Sequence, residues 1–155
     1  MAELVRGAEA PDFTLPRDGG GTISLSEFRG RPVVLFFYPK DDTEGCTMEA
    51  KDFTAAKADF DAAGVALIGL SPDPVKKHDR FVQKHALAVP LASDESHETL
   101  EAYGVWKEKS MYGRTYMGVE RTTVLVDADG RIADIWSKVK VKGHVEAVLD
   151  AARKL

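Results

Sequence analysis

The chain has one cysteine in 155 residues, Cys46, and it stands in the run Pro39-x-x-x-Thr43-x-x-Cys46. A single thiol makes no internal disulfide, no C-x-x-C redox pair and no cysteine-rich zinc site. Redox chemistry here uses one sulfur and takes the second from another molecule. A lone cysteine is more often a small buried hydrophobe than a reactive group, so its neighbours decide. Val33–Tyr38 is an unbroken apolar run between Pro32 and Pro39, the pattern of a strand buried on both faces. A helix then begins at about Thr43. Cys46 therefore falls at a strand-to-helix crossover, in the helix's first turn. Free N–H groups and the positive end of the helix dipole favour a thiolate over a thiol there. Thr43 has the type and spacing of an N-cap whose hydroxyl faces the Cys46 N–H. Gly45 leaves its own N–H open to a small ligand. The chemistry such a group suits is nucleophilic attack by sulfur.

The elements that must position it follow from the hydrophobic pattern. Along residues 43–63, Cys46, Ala50, Phe53, Ala56, Phe60 and Ala63 recur at spacings of three and four and form one apolar stripe. Gly64 ends that helix, and Val65–Leu70 is a second buried strand. Strand, helix and strand of this length make a βαβ unit with a parallel pair and a right-handed crossover. A helix over Pro74–His85, a short strand at Val89–Leu91 and a helix over Ser96–Tyr103 come next.

Gly104–Glu120 reads as a loop. Its Met111, Tyr112, Tyr116 and Met117 leave three readings open: pocket wall, interface or packing. Thr122–Val126 and Arg131–Trp136 flank Asp127-Ala-Asp-Gly130, a hairpin with turn residues in place; the other ligands of a calcium loop are missing. Lys138, Lys140 and Lys142 alternate as though guarding a strand edge. Val145, Val148, Leu149, Ala152 and Leu155 mark a last amphipathic helix. Near the N-terminus, Asp12–Leu15 and Thr22–Leu25 form a hairpin around Gly19–Gly21, a run without the Gly-Lys-Ser/Thr tail of a phosphate loop. The expectation is one α/β domain over residues 1–155, with a mixed central sheet flanked by helices and an N-terminal β-hairpin extension.

Composition narrows the partners. With 21 Lys and Arg against 25 Asp and Glu the net charge is −4, so the footprint of a nucleic-acid binder is missing. No apolar run is long enough to span a bilayer. Met1-Ala2-Glu3 opens no secretory leader, which points to the cytoplasm. His78, His85, His97 and His144 show no metal-ligand spacing and read as surface or internally satisfied residues.

The segment Tyr38-Pro-Lys-Asp-Asp-Thr-Glu-Gly-Cys-Thr-Met-Glu-Ala50 closely resembles the active-site segment of peroxiredoxins, in particular the peroxiredoxin Q or bacterioferritin comigratory protein branch. Ala10-Pro-Asp-Phe13 and Arg121-Thr-Thr-Val124 extend the resemblance over essentially the whole chain. It implies a thioredoxin-like fold and thiol-dependent reduction of hydrogen peroxide and organic hydroperoxides, with no metal and no organic cofactor. Carried over residue by residue, it makes Cys46 the peroxidatic nucleophile. Thr43 holds sulfur and peroxide through its hydroxyl. Arg121 stabilises the thiolate and polarises the peroxide. Pro39 shields the sulfur from water, and Glu49 orients the charged network.

This chain departs from the pattern twice. Glu44 replaces a proline common in relatives and is expected to point to solvent. Lys51 stands where many relatives carry a resolving cysteine. The resemblance thus implies a one-cysteine variant, a monomer or weak homodimer. Its sulfenic acid is reduced by an external thiol: thioredoxin, glutaredoxin with glutathione, or another small thiol. The alternative is a thioredoxin-fold binding or holdase protein without sustained turnover.

Overall fold

The computed structural model describes residues 4–155. Met1–Glu3, on which the expectation of no secretory leader rests, lie outside the described residues. The element order is β1 (Thr14–Pro16), β2 (Thr22–Ser24), a 3-10 turn (Leu25–Phe28), β3 (Val33–Phe37), α1 (Glu44–Ala62), β4 (Ala66–Ser71), α2 (Val75–His85), β5 (Leu91–Ser93), α3 (Glu98–Ala102), β6 (Trp106–Met111), β7 (Arg114–Val119), β8 (Thr122–Val126), β9 (Ile132–Trp136) and α4 (His144–Arg153).

β3 lies in the middle of a five-stranded sheet ordered β5-β4-β3-β8-β9. It pairs in parallel with β4 and antiparallel with β8, with Phe37 opposite Leu70 on one side and Thr122 on the other. All five residues of β3 are buried, which is why it reads as a continuous apolar run. Val34, Phe36 and Tyr38 face Ala50, Phe53 and Phe60 of α1, Phe81 of α2 and Val148 of α4. Val33, Leu35 and Phe37 face the other way, toward Phe13, Ile23, Leu25, Leu100 and Tyr103. The sheet is covered on both faces, and β1 and β2 pair as the N-terminal hairpin. Among the described residues no helix is long and apolar enough to cross a membrane.

Three local expectations are corrected. Residues 104–120 are not a loop: β6 and β7 form a six-pair antiparallel hairpin turned by Tyr112 and Gly113, both at positive φ. Most of its side chains are exposed, so it shows little apolar alternation. Met111, Tyr112, Tyr116 and Met117 all lie exposed on it, which rules out core packing. Lys138, Lys140 and Lys142 follow β9 in non-strand backbone and guard no ladder. β5 begins at Leu91, two residues later than expected, because Val89 and Pro90 belong to the approach to the strand. The Asp127 turn behaves as read: Asp127 Oδ1 accepts from the N–H groups of Asp129 and Arg131 at 3.0 and 2.9 Å.

Candidate active site

Two strand ends and one helix start build the site. β8 runs antiparallel to β3, so the residue just before β8 lies beside the end of β3. That residue is Arg121. The chain leaving β3 passes through Pro39–Asp42 and enters α1, which presents Cys46 in its first turn. Cys46 is 2% exposed. Arg121 Nη2 donates to Cys46 Sγ at 3.1 Å, and Nη1 donates to Glu49 Oε1 at 2.8 Å. Glu49 lies three residues after Cys46 on the inward face of α1. The carbonyl of Arg121 accepts from Val139 N–H at 3.0 Å, which ties the arginine's backbone to the segment after β9.

The electrostatics follow from burial. Glu49 is wholly buried, and its Oε2 has no hydrogen-bond partner. Burial pushes its carboxyl up from 4.5 to about 7; Arg121 pulls it down and Asp52 adds to the rise. Burial opposes the charge of Arg121, but Glu49 and Cys46 more than offset it, so the guanidinium is held above its ordinary value. Lys109 of β6, half-buried, is depressed by burial and by Arg121 and raised by Cys46, which puts an ammonium within electrostatic range of the sulfur. Its residue type and strand position give no sign of this in the sequence.

Cys46, Arg121, Glu49 and Gly45 are brought together. Thr43 and half-buried Pro39 stand in the loop that leads into the helix. Thr43 is the N-cap by backbone geometry, but its hydroxyl donates to the Lys40 carbonyl at 2.8 Å and makes no cap to the Cys46 N–H. Its own turn satisfies it first. Glu44 is exposed. A cleft of about 430 Å³ lies along the outer side of the helix start, lined by Thr43, Glu44, Thr47, Met48 and Lys51 among others.

The sequence concealed what steadies this loop. Tyr38 Oη donates to Asp41 Oδ1 at 2.6 Å, Asp41 Oδ2 meets His78 Nδ1 at 2.6 Å, and Asp41 N–H donates to Asp73 Oδ2 at 2.7 Å. Asp42, at a φ of 61°, bonds Lys84 and His85 of α2. Asp41, Asp73 and His78 cluster closely enough to suggest a metal site. Their facing atoms instead satisfy one another and Tyr38, Ser71, Lys77 and Ala92. The cluster fastens α2 to the loop before α1.

A buried sulfur held against a guanidinium, at a strand-to-helix crossover of a mixed sheet, is an arrangement that suits thiol redox chemistry. The AhpC/TSA family model matches residues 6–135. The Peroxiredoxin Bcp of Bacillus subtilis is 45% identical over 149 residues, covering 96% of this chain and 95% of that one. The structure of Xanthomonas campestris Peroxiredoxin Q superposes with a TM-score of 0.90 at 43% identity, covering 97% of this chain and 96% of that one. A second structure of the Xanthomonas bacterioferritin comigratory protein, also at a TM-score of 0.90 and at 42% identity over the same shares of each chain, was described for its alkyl peroxide reduction activity. The chain belongs to the AhpC/TSA family and is a thiol-dependent peroxidase with a thioredoxin-like fold. These relatives do not favour the holdase alternative.

Proposed function

We propose that Cys46 reduces hydrogen peroxide and organic hydroperoxides by direct attack and that an external thiol then restores it. The Arg121 guanidinium, bonded to sulfur and to Glu49 at once, carries this reading. The Cys46 thiolate attacks one peroxide oxygen, the O–O bond breaks, and Cys46 becomes a sulfenic acid. Arg121 and the free N–H groups of the helix's first turn stabilise the departing oxyanion. Glu49 fixes the guanidinium plane. The Thr43 hydroxyl, already a donor to Lys40, acts toward the peroxide as an acceptor. Pro39 limits water at the sulfur, and Gly45 keeps the approach open.

Cys46 is the sole cysteine, so no internal disulfide forms. Thioredoxin, glutaredoxin with glutathione, or another small thiol returns it to the thiolate. That demand suits the reducing cytoplasm. The test adds one equivalent of hydrogen peroxide and titrates the free thiol, then follows peroxide consumption with each reductant. The expected result is loss of the thiol within seconds and turnover with at least one reductant. Cys46→Ser should be inactive yet folded. Retention of most of the activity by Cys46→Ser would overturn the reading.

A further inference from the structure

One guanidinium faces two groups that can each carry a negative charge. Arg121 holds Glu49 Oε1 at 2.8 Å and Cys46 Sγ at 3.1 Å. A carboxylate with one buried, unpartnered oxygen is costly, whereas a carboxylic acid that carries its proton on that oxygen leaves no charge exposed to the core. Glu49 Oε2 is such an oxygen. The other charged groups nearby do not relieve it. Asp52, one turn further along α1, adds negative charge. Among the described residues Glu49 forms its salt bridge with Arg121 and with no lysine. His144, at the start of α4, is held down to about 4 by burial and by Arg121, so it is neutral near pH 7.

Resting on the reading of Cys46 as the attacking thiolate, we propose that Glu49 is the proton store of the reaction: it holds a proton while Cys46 is a thiolate and releases it when Cys46 becomes a sulfenic acid. Glu49 acts through Arg121 and is a positioning residue with a second duty. In the reduced protein the site holds a thiolate, a guanidinium and a neutral carboxyl. Sγ bonds the terminal peroxide oxygen, which keeps its hydrogen. The O–O bond breaks, and its electron pair stays on the leaving oxygen. Sulfur is oxidised by two electrons and the peroxide is reduced by two. The leaving oxygen gains one proton to become an alcohol or water, and Glu49 loses one. The carboxylate then takes the place of the thiolate beside Arg121, so the guanidinium faces one anion before the step and one after it. The elevation of the Glu49 carboxyl to about 7 agrees with a group that is partly protonated at neutral pH and sits where a small change of nearby charge moves its proton.

The test counts protons. Wild type and Glu49→Gln are oxidised with one equivalent of hydrogen peroxide near pH 7 in weakly buffered indicator solution, with free thiol titrated in parallel. Wild type should take up clearly less than one proton for each thiol lost, the shortfall being the share of Glu49 that was protonated beforehand. Glu49→Gln has none to give and should take up about one proton for each thiol lost. The infrared band of a buried carboxylic acid should bleach on oxidation of wild type and be missing from Glu49→Gln. Equal proton uptake by the two proteins overturns the proposal. Should Glu49→Gln not fold, wild type decides alone: bleaching of the carboxyl band supports the store and an unchanged band overturns it. Failure of peroxide to consume the thiol at all would instead bring down the peroxidase reading, so the two failures are told apart.

Discussion

The Arg121 guanidinium lies across the backbone of Gly45. A methyl group on that residue would stand 3.2 Å from Nη2, the nitrogen that donates to Cys46 Sγ at 3.1 Å. Few Cβ atoms sit so close to a neighbour, and here the neighbour is fixed at its other nitrogen by Glu49. The missing side chain thus makes room for the protein's own cation.

Gly45→Ala should therefore displace the guanidinium by a few tenths of an ångström and lengthen its contact with sulfur. The second-order rate of peroxide reduction should fall by about tenfold, since small misplacements of reacting groups are expensive. Thermal stability should hold or rise slightly, because alanine is the better helix former. Stopped-flow kinetics and a circular dichroism melt check both; an unchanged rate would mean that the close approach has no functional weight.

Arg121→Met removes the charge and keeps most of the bulk. It should cost more than Gly45→Ala, on the order of a hundredfold or greater, as for other groups that stabilise developing negative charge. Rates equal to wild type in the same stopped-flow assay would remove the arginine from the mechanism.

Thr43→Val keeps the shape and loses the bond to the Lys40 carbonyl. The turn into α1 should lose about 1 kcal/mol, visible as a lower urea midpoint. Peroxide reduction should slow by about tenfold. A stability loss with full activity would confine the hydroxyl to a structural role.

Two buried groups give stability opposite pH slopes. His144 has a folded value near 4, below its ordinary 6.5, so the unfolded chain binds more protons between those limits. Its contribution is complete above pH 6.5 and is lost as pH falls toward 4. Glu49 has a folded value near 7, above 4.5, so its contribution is complete below 4.5 and is lost as pH rises through 7. Urea unfolding across pH 4 to 8 should show His144→Gln less sensitive than wild type on the acid side. Glu49→Gln should be less sensitive on the neutral side. His144→Gln losing stability toward acid as steeply as wild type would contradict the assignment.

Lys51→Cys tests the start of α1. In a regular helix the Cα atoms of residues 46 and 51 stand about 8.7 Å apart, beyond the roughly 7 Å that a disulfide spans without backbone movement. Both residues lie inside α1. After one equivalent of peroxide the variant should form the bond by unwinding the first turns. Helical circular dichroism should fall a little, and the protein should resist over-oxidation better than wild type. Intact mass would show the loss of two hydrogens; Cys46 found as sulfinic acid beside a free introduced thiol would mean that the turn is too rigid.

Much of this architecture is legible in the residues. The apolar runs of β3 and β4 and the stripe from Cys46 to Phe60 are periodic signals that burial enforces. The β6–β7 hairpin was hidden because it stands off the core and needs no apolar face; its only local sign is the Tyr112-Gly113 turn between two six-residue runs. The site divides along the same line. Cys46, Thr43 and Gly45 are neighbours in sequence, and the helix start announces them. Arg121 is 75 residues from Cys46 and looks like a surface cation until β8 is paired with β3. The role proposed for it was legible only through the resemblance. A glutamate at position 49 of an amphipathic helix reads as a solvated face, and nothing local says that its second oxygen is sealed in. The Asp41–His78 pair hides likewise, since it joins a loop and a helix 37 residues apart.

The dependence of the Arg121–Cys46 contact on one strand pairing also sets when that contact can form. A ribosome makes Cys46 first and Arg121 75 residues later, and the two meet only once β8 has docked against β3. A nascent chain, or one stalled before β8, carries a thiol with no Arg121 guanidinium beside it. On the role proposed for Arg121, fast oxidation of Cys46 is a certificate of completed folding.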